Sequence, residues 1–163
     1  TAGTGLPQHD VWIERLAKLC SVDCINLGVG SGAMDTVFRI ANYWIKEIQP
    51  KMVVLLCPGF DRFEVRQSKD DVGTFLPQCM RTPDQEIIAK HWWVNDENSS
   101  YNALKNIYAL QKICADLDIN LYCYAYQEMP KIDLARDCLH HGPLAHDAFA
   151  KKVYKDITGT NCE

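Results

Sequence analysis

Residues 52–57 read MVVLLC, an unbroken apolar run that is followed at once by Pro58-Gly59. A strand with one face in water alternates apolar and polar residues, whereas a strand covered on both faces reads as a continuous apolar run. Parallel strands are the ones that are usually covered on both faces, and crossover helices join them. The run therefore predicts a parallel sheet with helices before and after it in the chain.

The neighbouring segments alternate between helical and strand patterns. The apolar spacing predicts helices over residues 10–20, 33–48, 82–93, 99–117 and 146–157. Two more runs, Val22–Leu27 and Asn120–Tyr126, have the composition of strands. Residues 60–80 are polar, aromatic and irregular, and predict a long loop. This alternation predicts an α/β fold with a doubly wound parallel sheet, whose ligand site lies beyond the carboxyl ends of the strands.

Composition excludes several classes of function. The chain of 163 residues has the length of one domain, and 47% hydrophobic residues suffice to form a core. A formal net charge of −4, without any basic run, makes nucleic acid an unexpected partner. The longest apolar run is far shorter than the roughly 20 residues that span a bilayer. We expect a folded domain without a membrane span.

The cysteines are expected to be reduced. There are eight, but no Cys-x-x-Cys pair, and the chain is long enough to fold without a disulfide framework. Cys24, Cys57 and Cys123 lie in strand-like runs and Cys114 in a helical one, which predicts buried thiols. Buried reduced thiols favour an intracellular location over an oxidising compartment.

Residues 136–143, RDCLHHGP, with His146 shortly after, form the strongest candidate for chemistry. Asp137 precedes His140 by three residues on the loop that follows the last predicted strand. Such a carboxylate can accept the Nδ1 hydrogen of the imidazole and stabilise the imidazolium that forms when Nε2 takes a proton. The alternatives are a loop with solvated histidines, or a metal site formed by Asp137, His140, His141 and His146. We expect no cofactor and no metal.

These residues resemble the last block of the SGNH, or GDSL-type, esterases and acylhydrolases. In that family Asp-x-x-His is followed by a Pro/Gly segment, a further His and an amphipathic helix, and residues 136–153 match this pattern throughout. Residues 22–32 are similar to the second block, a strand that ends in Asn and a glycine turn. Residues 1–7 are similar to the segment after the Gly-Asp-Ser nucleophile motif.

The resemblance implies a flavodoxin-like, three-layer α/β/α fold, with residues 1–163 as a single SGNH hydrolase-like domain. It implies a serine that attacks an acyl carbonyl, with His140 as general base and Asp137 as its orienting carboxylate. The backbone amides of Ser31 or Gly32 would donate to the oxyanion. The substrate would be a small-molecule or glycan ester.

Two positions depart from the family. The Gly-Asp-Ser motif would fall just upstream of Thr1, so we expect the serine and the first strand to be supplied by a larger polypeptide or assembly. Phe60 stands where the family has an oxyanion-binding Asn, and it cannot donate a hydrogen bond. Arg62 could replace that donor, or could form a surface pair with Asp61 or Glu64. The alternative function is therefore a non-catalytic SGNH-like binding or assembly module.

The long helix predicted over residues 33–48 carries one further charged pair. Asp35 and Arg39 are four residues apart, the spacing at which opposite charges on a helix surface meet. We expect them to form an ordinary surface ion pair.

Overall fold

A computed structural model describes residues 3–66, 72–75 and 96–160, together with the single positions 83, 86, 87 and 90. The chain divides into two compact units, which are described separately. The terminal unit comprises Thr1–Gly30 and Gln127–Glu163, and the central unit comprises Ser31–Tyr126. Within the described residues the architecture is mixed α/β, with four α-helices, one parallel strand pair and one antiparallel strand pair.

The helices are α1 (Trp12–Cys20), α2 (Met34–Ile48), α3 (Asp96–Asp116) and α4 (Pro143–Thr158). The strands are β1 (Met52–Cys57), β2 (Phe63–Arg66), β3 (Val72–Phe75) and β4 (Asn120–Ala125). None of the helices in the described ranges combines the length and apolar character needed to cross a membrane.

The parallel pair of β1 and β4 confirms two of the predicted strands. Met52 pairs with Asn120 and Cys57 with Ala125, so the two strands run in register over their whole length. Helices α2 and α3 pack together, and they close a core with the sheet. The buried members of this central core are Met34, Ile45, Leu55, Cys57, Ala103, Leu110, Cys114 and Ile119.

The strand predicted over Val22–Leu27 is wrong. The segment is irregular, and Val22 and Ile25 are 52% and 59% exposed. A strand is held by hydrogen bonds to a neighbour, and the described residues provide no ladder for this segment. The parallel sheet of the described chain therefore has two strands.

The loop predicted over residues 60–80 is also wrong in part, because β2 and β3 pair as antiparallel strands within it. Phe63 lies opposite Phe75, and the Phe63 side chain is buried. The strands are only four residues each, too short for their alternation to be detected in the sequence. Most of the helix predicted over residues 82–93 lies outside the described residues.

The terminal unit is built on the packing of α1 against α4. The rings of Trp12 and Phe149 meet edge to face with centroids 5.3 Å apart, and Leu16, Ala150 and Val153 complete the buried contact. Helix α4 begins at Pro143, one turn earlier than predicted, because proline is favoured in the first turn, where its missing N–H costs nothing.

The predicted burial of the cysteines holds for two of four. Cys57 and Cys114 are buried thiols, as predicted. Cys123 is exposed and Cys24 only half-buried, so the prediction is wrong there. Burial alternates at the end of β4, where Tyr124 is buried and Cys123, on the other face, is exposed. The apolar composition of the segment had predicted that both faces are buried.

Candidate active site

Residues 133–142 form a tight hairpin directly before α4, which we call the histidine hairpin. Leu134 and His141 are bridge partners, and the N–H of Ala135 donates to the carbonyl of His140 at 2.8 Å. At the tip, the N–H of Cys138 donates to the carbonyl of Ala135 at 3.0 Å, with Cys138 in the left-handed region. The hairpin therefore turns over residues 135–138, which leaves His140 on its returning arm.

The base of the hairpin is attached to α4 through Asp133. Its carboxylate accepts the N–H of Leu144 at 3.0 Å and that of Ala145 at 2.9 Å, two amides of the first helical turn that lack partners within the helix. At Gly142 a Cβ would lie 2.4 Å from the Asp133 carboxylate, which leaves no room for a side chain. The hairpin is thus held at the start of α4 by a helix cap.

The tip of the hairpin is organised by the carboxylate of Asp137. Its Oδ1 accepts two backbone N–H groups, from Leu139 at 3.0 Å and from His140 at 3.1 Å. Its Oδ2 lies 2.5 Å from Nδ1 of His140. The hydrogen bonds from the two backbone amides, and then that from the His140 ring, lower the pKa of Asp137 to about 2. Asp137 is therefore ionised at neutral pH.

This contact determines what the imidazole of His140 can do. With Nδ1 donating its hydrogen to Asp137, the neutral ring has its lone pair on Nε2. The side chain is 50% exposed, and Nε2 has no hydrogen-bond partner among the described residues. The arrangement is an oriented base that is open to an incoming proton donor.

The amino-terminal segment runs close to the same carboxylate at Gly5. Gly5 has φ +80°, and a Cβ there would lie 3.0 Å from Oδ2 of Asp137 and 3.2 Å from Cβ of Ala135. A side chain at this position would therefore press on the Asp137 and His140 pair. The sequence contained no signal for this contact beyond the glycine itself.

The four residues considered as a metal site do not converge on a common point. His146 is buried, and its Nδ1 accepts the N–H of Trp12 at 3.0 Å, at the start of α1. Burial lowers the pKa of His146 to about 4, so the ring is neutral and serves as a cap for α1. Within the described ranges no three His, Cys, Asp or Glu side chains are grouped as metal ligands.

The predicted oxyanion donors lie in the central unit, immediately before α2. Ser31 is exposed with φ +59°, and Gly32 is buried. The next amide, the N–H of Ala33, donates to the hydroxyl of Thr36 at 3.2 Å, which caps the helix. The structure brings Asp137 and His140 together in the terminal unit, while the Ser31–Gly32 turn starts the central unit.

The carboxylate of Asp35, in the first turn of α2, binds three residues outside its own helix. Asp35 was expected to pair with Arg39, and that expectation is wrong. Both oxygens of Asp35 accept the amide of Asn102 at 3.0 Å, Oδ1 accepts that of Asn106 at 3.1 Å, and Oδ2 accepts the N–H of Glu64 at 3.3 Å. These bonds link the first turn of α2 to α3, and Asn106 is buried.

The segment after β1 contains Phe60 and Arg62, the two residues compared with the Asn of the resembling family. Phe60 is half-buried and packs against the central core, so its ring has a packing role. The guanidinium of Arg39 donates to both oxygens of Glu64, at 2.9 and 3.0 Å. Of the two surface partners considered for Arg62, Asp61 and Glu64, the carboxylate of Glu64 is bound by Arg39 instead.

Comparison of the chain with protein-family models finds no match, and comparison with curated proteins finds no significant match.

Proposed function

We propose that this chain is the histidine-bearing part of a serine ester hydrolase of the SGNH type, with a flavodoxin-like, three-layer α/β/α fold. The observation that carries the proposal is the 2.5 Å contact between Asp137 Oδ2 and His140 Nδ1, in a ring whose Nε2 is open. An orienting carboxylate on one ring nitrogen and a free lone pair on the other are the requirements of a general base.

The proposed reaction uses His140 as its base. Nε2 of His140 takes the proton of a serine hydroxyl supplied upstream of Thr1, and the serine oxygen attacks the acyl carbonyl. Ionised Asp137 stabilises the imidazolium. The ester C–O bond breaks as the imidazolium protonates the leaving alcohol, and the acyl group stays on the serine. Nε2 of His140 then takes a proton from water, which attacks the acyl-serine, and the imidazolium returns a proton to the serine oxygen as the acid leaves. The resemblance assigns the donation to the oxyanion to the backbone amide of Ser31 or Gly32.

Two further observations support the assignment. The Asp137 carboxylate is fixed by two backbone amides as well as by the ring, so its orientation does not depend on the protonation of His140. A Cβ at Gly5 would lie 3.0 Å from this carboxylate, so the segment that the resemblance places after the nucleophile motif is close to the pair.

One observation favours the alternative, a non-catalytic binding or assembly module. Phe60 occupies the place of the family's oxyanion-binding Asn and packs on the central core. A site that lacks that donor loses roughly 10²-fold to 10³-fold in rate. Under the alternative, the Asp137 and His140 pair only stabilises the hairpin.

Labelling with a fluorophosphonate distinguishes the two functions. The natural full-length polypeptide is labelled, and the modified residue is identified by mass spectrometry. We expect label on a serine upstream of Thr1, at a rate that falls at least about 100-fold in His140→Ala and in Asp137→Asn. His141→Ala, which removes the adjacent ring on the same hairpin, is the matched control and should label normally.

Two results would refute the hydrolase. One is an intact Gly-Asp-Ser that does not label. The other is labelling in His140→Ala at the rate of the unmodified protein, since the imidazole would then have no part in activating the serine.

A further inference from the structure

The tip of the histidine hairpin contains a residue with an uncommon backbone conformation. Cys138 has φ +57°, in the left-handed region that residues with a Cβ adopt only at a cost. Among the described residues, the non-glycine residues that share a positive φ are Ser21, Ser31, Gln49, Asp118 and Cys138.

Three of these residues have an ordinary explanation, because they end helices. Ser21 and Gln49 are the C-caps of α1 and α2, and Asp118 follows the end of α3. A left-handed residue commonly closes a helix. The other two, Ser31 and Cys138, lie in the turn and in the hairpin that contain the candidate site residues. A strained backbone that no helix end explains is a reason to look for a functional role.

The backbone of Cys138 determines what binds the carboxylate of Asp137. The amides of Leu139 and His140 donate to its Oδ1 at 3.0 and 3.1 Å. The φ bond of Cys138 lies between this carboxylate and the two amides, so rotation to the usual φ of about −60° would turn both amides away. Oδ2 lies 2.5 Å from Nδ1 of His140. A carboxylate that loses the two amides therefore loses its fixed position against the ring.

The side chain of Cys138 has no comparable role. It is exposed, and its only hydrogen-bond contact among the described residues is that of Sγ with the carbonyl of Arg136, at 4.0 Å. A thiol is a weak donor even at shorter range. The backbone conformation of this residue, and not its thiol, is therefore what acts on the Asp137 and His140 pair.

Resting on the proposed function, we infer that Cys138 is a positioning residue, whose left-handed backbone directs the amides of Leu139 and His140 onto Asp137 and so holds that carboxylate against the general base. The residue acts through Asp137 and contacts no reacting atom. Glycine and asparagine adopt a positive φ readily, whereas a β-branched residue does so rarely. The position should therefore accept glycine or asparagine and reject valine.

Three substitutions separate the backbone from the thiol, and all three are expected to fold because Cys138 is exposed at a hairpin tip. In the natural full-length polypeptide, Cys138→Gly and Cys138→Asn should label with the fluorophosphonate within about threefold of the unmodified rate, and Cys138→Val at least about tenfold more slowly. Gln49→Val, which puts the same residue at the left-handed C-cap of α2, is the matched control and should label normally.

The imidazole of His140 gives a second readout that needs no turnover. Nitrogen-15 shifts of the neutral ring, measured at mildly alkaline pH, show which nitrogen holds the hydrogen. The unmodified protein, Cys138→Gly and Gln49→Val should show the hydrogen on Nδ1, where Asp137 accepts it. Cys138→Val should show a mixture of the two tautomers. Destabilisation elsewhere in the fold would not change this ratio.

The two readouts distinguish this inference from the proposed function. Labelling of Cys138→Val at the unmodified rate overturns the inference, and so does an equal loss in all three variants, which would assign the role to the thiol. If no protein labels but Cys138→Val alone loses the Nδ1 tautomer, the proposed function fails and the positioning of the pair by Cys138 stands. If the protein labels and the tautomer is the same in every variant, the inference fails and the hydrolase stands.

Discussion

Acidification should destabilise this protein through His146. The ring is 3% exposed, and its Nδ1 accepts the N–H of Trp12 at 3.0 Å. Protonation would place a second N–H against that donor and bury a charge. Burial lowers the pKa of His146 to about 4; the positive charges of His141 and Arg15 act in the same direction, and Asp133 opposes them.

The sign and size of the effect follow from the two states. In the unfolded chain the ring takes a proton below its ordinary pKa of 6.5, and in the folded protein only below about 4. Between these values unfolding takes up a proton, so the free energy of unfolding falls as the pH falls. Because a tenfold change in proton affinity is worth about 1.4 kcal/mol, the full loss is about 3 kcal/mol.

The measurement is a set of urea denaturation curves between pH 4 and pH 6.5, with His146→Asn as the comparison. The amide oxygen of Asn can accept the N–H of Trp12 but does not titrate, so the variant should lose much less stability over this range. Exposed histidines are the same in both proteins, and their contribution cancels in the difference. Nitrogen-15 shifts of the ring report its pKa directly, and a value near 6.5, or equal slopes for the two proteins, would refute the argument.

Three further substitutions test the contacts of Gly5, Asp133 and Asp35. Gly5→Ala should destabilise the protein by about 1–2 kcal/mol and slow fluorophosphonate labelling, because Gly5 has φ +80° and the added Cβ would meet the Asp137 carboxylate. Gly30→Ala is the control: its Cβ would have nothing within 4 Å, and the free energy of unfolding should change by less than about 0.5 kcal/mol. Asp133→Ala should cost about 1 kcal/mol and speed amide exchange in the first turn of α4; unchanged exchange would contradict the cap. Asp35→Ala should lower the free energy of unfolding, measured by thermal denaturation, by about 1–3 kcal/mol, because it leaves the buried amide of Asn106 without its acceptor. Arg39→Ala removes an exposed ion pair and should lower it by less than about 1 kcal/mol; equal losses would contradict the role given to Asp35.

Local signals were sufficient for part of the structure. The apolar run of β1 and the three-and-four spacing of α2 are contained within their own segments, and both elements lie where the sequence predicts them. The contact between Asp137 and His140 is equally local, since one tight turn separates the two residues. Their catalytic role stays a prediction, because it depends on groups that local geometry does not supply.

Contacts between distant segments were the ones that sequence reasoning missed. His146 was considered as a metal ligand, yet its partner is a backbone amide 134 residues away. Asp35 has a good partner four residues on, but amides from α3 and an amide of β2 bind it instead. Helical spacing shows which face a residue is on, and does not show which element covers that face.

The comparison between β4 and Val22–Leu27 shows why composition cannot define a strand. Both are short runs with Ile, Val, Leu or Tyr, and both were predicted as strands from that composition. Strand β4 pairs with β1 along its whole length, whereas the described residues provide no ladder for Val22–Leu27. Every hydrogen bond of a ladder joins two segments, so strand formation depends on a partner as much as on the segment. The apolar residues of Val22–Leu27 are therefore compatible with a strand, but a strand forms only where another segment offers its backbone N–H and C=O groups as hydrogen-bond partners.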